Sequence, residues 1–300
     1  MLKIDTFFEN FLTKDSLFQD KSTLLSHYVP DEVVYREQQL QEIAHILAPC
    51  LRLERPSNLF IYGKTGTGKT LSVKYILKSM VEVAVKNNIS FKPIYTNCKL
   101  KKVADTEYRL IAQFIKELGQ EVPATGLPTD EIYNTFYTIL DTRKQIILLV
   151  LDEIDQLTKK MGDEVIYNLT RINTELKNSQ ISILGISNNL VFAEHLDPRV
   201  KSSLSEEEII FPPYNAIQIQ DILRRRCQQA FKEGVIQPGV VEKCAAYAAR
   251  EHGDARRAID LLRVAGELAE RSGSLHLAMN HLDEAEKKVE CDKIINAAVA

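Results

Sequence analysis

No stretch of this 300-residue chain approaches the ~20 consecutive apolar residues needed to cross a bilayer, so no membrane partner is expected. The start, Met1-Leu2-Lys3-Ile4-Asp5, has no basic segment followed by an apolar one, and no secretion signal is expected. Cysteine is sparse: Cys50, Cys98, Cys227, Cys244 and Cys291 are odd in number, scattered and never in a CxxC pair. That argues against a disulfide framework and a zinc site, and for small buried thiols in a reducing, cytoplasmic setting. Excess positive charge is also missing. The formal net charge is -3, so composition alone does not point to nucleic acid. There is no internal repeat and no low-complexity segment.

What is present is a strand–helix alternation. Apolar runs at Asn58–Tyr62, Phe91–Tyr95, Ile146–Leu151, Ile181–Ile186 and Ile209–Phe211 read as strands. Helical patterns separate them, among them Val33–Leu53 and Leu71–Val85, with apolar residues at three- and four-residue spacing. Such alternation predicts an α/β fold with a parallel sheet covered on both faces. The segment up to about Asp31 reads as an extended arm with one short helix. After Pro212-Pro213 strand signals stop, and helices are predicted over Ala216–Lys232, Pro238–His252, Arg256–Arg271 and Leu282–Ile295.

The first strand runs into Gly63-Lys64-Thr65-Gly66-Thr67-Gly68-Lys69-Thr70. Glycines let backbone N–H groups converge on phosphate oxygens, Lys69 adds a charge for the β/γ-phosphates, and Thr70 offers a hydroxyl to Mg²⁺. The following helix adds its positive end. Asp152-Glu153 closes the most apolar strand, where α/β sheets bind ligands. Asp152 suits Mg²⁺, and Glu153 suits a water-orienting or water-deprotonating base. Asp155 reads as a helix cap. Asn188, in Ser187-Asn188-Asn189, reads either as a γ-phosphate or water ligand or as a turn former. Arg256, in Gly253-Asp254-Ala255-Arg256-Arg257, reads either as a phosphate-reaching arginine or as a solvated helix end. Arg224-Arg225-Arg226 point in three directions from one helix and do not form a continuous phosphate-tracking face.

The order of these motifs, GKTGTGKT, LDEID, GISNN and GDARRAIDLLR, resembles the AAA+ ATPases. More narrowly, the chain resembles the archaeal replication-initiator family related to the origin recognition complex and the CDC-type helicase loaders. Tyr28-Val29-Pro30-Asp31-Glu32, Arg36-Glu37, Leu196–Leu204, Phe211-Pro212-Pro213-Tyr214 and Arg263–Glu267 carry that narrower likeness over nearly the whole chain. It implies an N-terminal arm (1–32), an AAA+ base with a five-stranded parallel sheet (33–213), a small all-helical lid (214–281) and a linker helix (282–300) leading toward a winged-helix domain. It also implies roles: Asn188 as first sensor, Arg256 as second sensor, Val29, Pro30 and Arg36 at the adenine, and Tyr214 and Arg226 near the nucleotide from the lid.

The implied function is an ATP-dependent replication initiator that binds ATP/ADP with Mg²⁺ and hydrolyses slowly as a conformational switch. Origin double-stranded DNA, a replicative helicase and other initiator subunits are the implied partners, in a nucleoid-associated setting. A nearly non-hydrolysing ADP-holding module and a clamp-loader-like subunit are the alternatives. Departures qualify the likeness. The insertion Asp105–Thr142, where relatives touch DNA, has an uncharged tip at Val122–Pro128. Ser202-Ser203 stands where eukaryotic relatives carry a Ser-Arg arginine finger, leaving Arg199 as the nearest substitute. The sequence reaches Ala300 at about the entry to the winged helix, so weak DNA binding is expected.

Overall fold

The structure, a computed structural model, describes residues 15–25, 28–30, 32–100, 105–123, 126, 128–204, 206–250 and 253–299, with 291–299 given by backbone alone. Contacts divide the chain into two units: Asp31–Pro212, and a second joining Met1–Pro30 to Pro213–Ala300.

In the first unit, α1 (Glu37–Leu47) and β1 (Asn58–Gly63) precede α2 (Lys69–Lys86), β2 (Phe91–Asn97), α3 (Glu107–Glu117) and α4 (Thr129–Leu140). Then come β3 (Ile146–Asp152), α5 (Ile154–Met161), α6 (Glu164–Arg171), β4 (Gln180–Ser187), α7 (Pro198–Leu204) and β5 (Glu206–Phe211). The five strands are parallel, in the order β2-β3-β4-β1-β5. Strand alternation explains the double covering. In β3, Ile147, Leu149 and Leu151 join the core under α3–α7, while Ile146, Leu148 and Val150 join the core under α1 and α2. The register aligns the C-terminal strand ends, with Asn97 opposite Asp152, Asp152 opposite Ile186 and Tyr62 opposite Ser187.

Two elements differ from the sequence reading. The helix expected over Val33–Leu53 is confined to Glu37–Leu47, with a 3-10 turn over Ala48–Arg52. Pro49 has no N–H to extend the ladder, and Tyr35 at φ 61° keeps the approach non-helical. β5 begins at Glu206 rather than Ile209. Three acidic residues hide the strand signal, and on an edge strand charge discourages pairing with another chain. The Asp105–Thr142 insertion contains α3 and α4; Ala124, Thr125 and Leu127 of its tip lie outside the described residues.

Asp141, at the end of α4, anchors the entry to β4. Its carboxylate accepts backbone N–H bonds from Lys177, Asn178 and Ser179. The Ser179 and Asn178 amides hold its carboxyl below the ordinary range. A depressed folded value means that the stabilisation is complete above the unfolded pKa of about 4 and is lost as pH falls through the lower folded value. Asp141→Asn should therefore lower Tm at neutral pH, and the deficit should shrink as pH falls below the unfolded value of about 4. A pH series of thermal melts checks this; a deficit that stays constant would show that charge plays no part.

In the second unit, α8 (Ala216–Ala230) opens on a capping box between Asn215 and Gln218, followed by α9 (Val240–Arg250), α10 (Ala255–Ser272) and α11 (Met279–Val299). His252, the end expected for the second of these helices, lies outside the described residues. α11 packs on α10 from its start, with Leu282 and Ala285 fully buried and Asp283 paired with Lys243 of α9 at 2.6 Å. The described arm residues up to Pro30 belong to the same unit. Phe18 bridges Phe231 in antiparallel fashion with ring centroids 4.7 Å apart, Leu17 N–H donates to Glu270, and Lys21 pairs with Glu267 at 2.8 Å. Gly266 leaves room for Phe18, whose ring would lie 2.6 Å from an added Cβ. A 3-10 turn, Lys21–Leu24, is the short helix expected there. Cys50, Cys98, Cys227 and Cys244 are buried and free, and burial pushes the first three thiols up to about 12. The side chain of Cys291 lies outside the described residues.

Candidate nucleotide-binding site

The phosphate loop spans β1 to α2. Gly66 and Gly68 take positive φ (75° and 89°), conformations that L side chains rarely adopt, and Gly68 caps α2. The Thr67 hydroxyl closes the loop by donating to the Lys64 carbonyl at 2.8 Å, while Lys64 and Thr65 are exposed at its crest. Lys69 is buried at 5 % exposure, and its Nζ donates to Gly63 O (2.7 Å), Lys64 O (2.8 Å) and Asn188 Oδ1 (2.9 Å). These acceptors hold the ammonium where incoming phosphate oxygens could replace them.

β4 lies between β1 and β3, which puts Asn188 between the phosphate loop and the acidic pair. Thr70 Oγ1 donates to Asp152 Oδ2 at 2.9 Å, Tyr95 donates to the same oxygen, and Glu153 N–H donates to Oδ1 at 3.0 Å. Asp152 is thus fixed through both oxygens. Burial, followed by the Asp152 charge, pushes the Tyr95 phenol well above its ordinary value and keeps it a donor, with Lys74 4.7 Å from its ring centroid. The hydroxyl and carboxylate oxygens of Thr70 and Asp152 suit Mg²⁺, a hard cation usually held by one or two protein ligands together with substrate phosphates. Glu153 takes a left-handed conformation, φ 56° and ψ 46°, which is unusual for a non-glycine residue and a strain that collects at functional sites. Lys99 Nζ lies 3.8 Å from its Oε2.

Asp155 is not the cap of α5. Glu153 occupies the N-cap position, and the Asp155 carboxylate, within the first turn, accepts the Ser187 hydroxyl at 3.0 Å. Arg36, buried at 2 % exposure, donates to Thr67 O, Tyr35 O and Pro212 O, so its guanidinium braces the phosphate loop against the end of β5. Gly63–Thr70, Asp152, Glu153, Asn188 and Arg36 thus share one unit.

Val29, Pro30, Tyr214, Arg226 and Arg256 belong to the other. There Arg226 stacks 4.4 Å from the Tyr28 ring centroid, and burial holds its pKa below the usual arginine value. Arg224 and Arg225 pair with Glu242 and Asp221 at the surface. Tyr214 is buried, while Arg256 is exposed in the first turn of α10, after the Asp254 cap. Arg199 is exposed and forked onto Asp197 of its own chain.

A family model described as an AAA domain matches residues 52–190, and one described as a Cdc6 AAA+ ATPase-type lid domain matches 220–287. An ORC1-type DNA replication protein of Thermococcus onnurineus is 50% identical over 293 residues, 96% of this chain and 70% of the relative. The chain belongs to the ORC1-type DNA replication protein family. The Aeropyrum pernix ORC1 protein, solved in complex with DNA, superposes on this ORC1-type chain with a TM-score of 0.85 at 44% identity, covering 95% of this chain and 73% of that one. Cdc6p from Pyrobaculum aerophilum matches with a TM-score of 0.79 at 25% identity, over 91% of this chain and 72% of its own. The expected AAA+ fold with a parallel sheet and a helical lid is therefore present, and the family is that of the P-loop ATPases.

Sequence reasoning missed two residues of this ORC1-type site. Tyr95 falls within the predicted strand, and only strand pairing shows that its hydroxyl reaches Asp152. Asp155 carried a cap-like signal that concealed its bond to Ser187.

Proposed function

We propose that this chain is a replication initiator that binds ATP and hydrolyses it slowly, using nucleotide state as a conformational switch for origin binding and helicase recruitment. The observation that carries this reading is the joined arrangement of Lys69 on Asn188 and Thr70 on Asp152, which links loop, sensor and acidic pair. ATP phosphates would take the place of the Lys69 acceptors, with loop amides and the α2 N-terminus as further donors. Mg²⁺, when bound, would neutralise charge on the β/γ-phosphates, with Thr70 and Asp152 as its protein-side oxygens. Glu153 would accept a proton from, or orient, the attacking water. Asn188 would hold the γ-phosphate or that water. Arg256 is proposed as second sensor, Tyr214 and Arg226 as nucleotide contacts, and Val29 and Pro30 as adenine contacts. Arg36 would serve the pocket by holding Thr67.

A second reading, an ADP-holding module with little turnover, is favoured by the engagement of Arg199 with Asp197, which leaves the finger position weakly served. Phosphate release measured with and without origin duplex separates the two. Turnover stimulated by DNA supports the switch, whereas tightly retained ADP and no turnover support the module. A clamp-loader role predicts stable rings with other AAA+ subunits, and a chain that remains monomeric with ATP and DNA on size-exclusion chromatography counts against it.

Duplex binding should be weak and steeply salt-sensitive. Neutralising about four phosphates would weaken it by about 10²-fold between about 50 and 200 mM salt. A mobility-shift series checks this, and binding that is indifferent to salt would contradict a backbone-dominated contact.

A further inference from the structure

Asp155 is a buried carboxylate, 6 % exposed, that the proposed hydrolysis does not use directly. Its position follows from a close approach between helix and strand. A Cβ at Gly185 of β4 would lie 2.6 Å from the Phe60 ring and 3.2 Å from Ile154 Cδ1, so the bare backbone there admits the first residue of α5. The next residue, Asp155, then reaches the end of β4. Its Oδ1 accepts the Ser187 hydroxyl at 3.0 Å, and Oδ2 accepts Gln156 Nε2 at 2.8 Å. Ser187, fully buried, accepts the Asn189 N–H on the same Oγ at 3.0 Å. Asn188 is therefore bracketed on both sides by one hydroxyl, whose single proton has Asp155 Oδ1 as its nearer acceptor, at 3.0 Å against 3.3 Å to the Asn189 carbonyl. Its own amide oxygen meets Lys69 at 2.9 Å. The carboxylate also lies in the first turn of α5, where the helix dipole favours negative charge.

We propose that Asp155 is a positioning residue for Asn188, setting through Ser187 the orientation by which the chain distinguishes ATP from ADP. The inference rests on the reading of Asn188 as the γ-phosphate sensor. It assigns the acidic segment two separable tasks, with Asp152 and Glu153 facing the reaction and Asp155 fixing the neighbouring strand end. Asp155, Ser187 and Asn188 are assigned no contact with the α- or β-phosphates, and Lys69 is held independently by the Gly63 and Lys64 carbonyls, so ADP binding should depend little on the path.

The test uses the full chain in a Glu153→Gln background, where bound ATP should persist, and measures ATP and ADP affinities with thermal melts for each variant. Asp155→Ala should weaken ATP about 5–10-fold, the scale of one ordinary hydrogen bond acting at one remove, and leave ADP within about twofold. Asp155→Asn keeps an acceptor oxygen and should restore most of the preference. Asp155→Ala added to Asn188→Ala should cost less than about twofold beyond Asn188→Ala alone, because both break one path. Ser187→Ala cuts the same bond with minimal change in volume and serves if Asp155→Ala does not fold. Equal losses for ATP and ADP, or full additivity with Asn188→Ala, overturn the proposal. If Asn188→Ala itself leaves the ATP/ADP ratio unchanged, the sensor reading falls and the proposal falls with it. A changed ratio for Asn188→Ala but not for Asp155→Ala or Ser187→Ala overturns the positioning role alone.

Discussion

Glu153→Gln is expected to cut ATP turnover by about 10²–10⁴-fold, the range assigned to a positioned acid–base group, while ATP affinity changes little. Glutamine preserves the size of the side chain and removes only the charge and basicity that could accept a proton from water. Glu153 also sits at a left-handed backbone position that directs it away from an ordinary strand-to-helix path. A structural residue would gain little from such strain, whereas a base that must face a substrate gains orientation. Phosphate release in steady state, paired with a nucleotide titration, checks both halves. Turnover that survives the substitution would place the base elsewhere, and a parallel loss of binding would make Glu153 a binding residue.

Lys69→Ala should weaken ATP binding by two orders of magnitude or more. A charge-assisted hydrogen bond is worth about 1.5–3 kcal/mol, and this ammonium is held by three acceptors positioned to give way to phosphate oxygens. The variant has a second expected effect. Gly63 O, Lys64 O and Asn188 Oδ1 lose their common donor, so the nucleotide-free protein should also melt at a lower temperature. Titration calorimetry with and without Mg²⁺, together with melts of the empty protein, separates the two effects. Unchanged ATP affinity would remove the phosphate loop from the binding site.

Much of this was readable because the informative positions are local. The glycine spacing of the loop, the apolar run of β3 and the prolines before the helical unit each signal through neighbouring residues, and the expected fold followed. What escaped depends on partners distant in sequence. Tyr95 looks like any strand aromatic until β2 pairs with β3 and its hydroxyl meets Asp152. Arg36 is placed at the adenine by likeness alone; that its guanidinium also donates to the Thr67 and Pro212 carbonyls, 31 and 176 positions away, is signalled by no neighbouring residue. β5 was cut short because edge charges that keep a sheet from aggregating also erase the apolar signal of a strand.

The docking of Leu17 and Phe18 on α8 and α10 means that the helical unit is discontinuous, with the whole Asp31–Pro212 unit inserted into it. On the ribosome, its first apolar residues emerge long before the helices that cover them. At roughly 5–20 residues per second, Phe18 waits about 10–50 s for Phe231 and Gly266 to appear. The sheet unit can fold during that interval, closing what would otherwise be a long floppy loop and leaving a shorter search for the arm. Leu17 and Phe18 are thus made well before the residues that bury them, and the helical unit can close only once its distant second half has been synthesised.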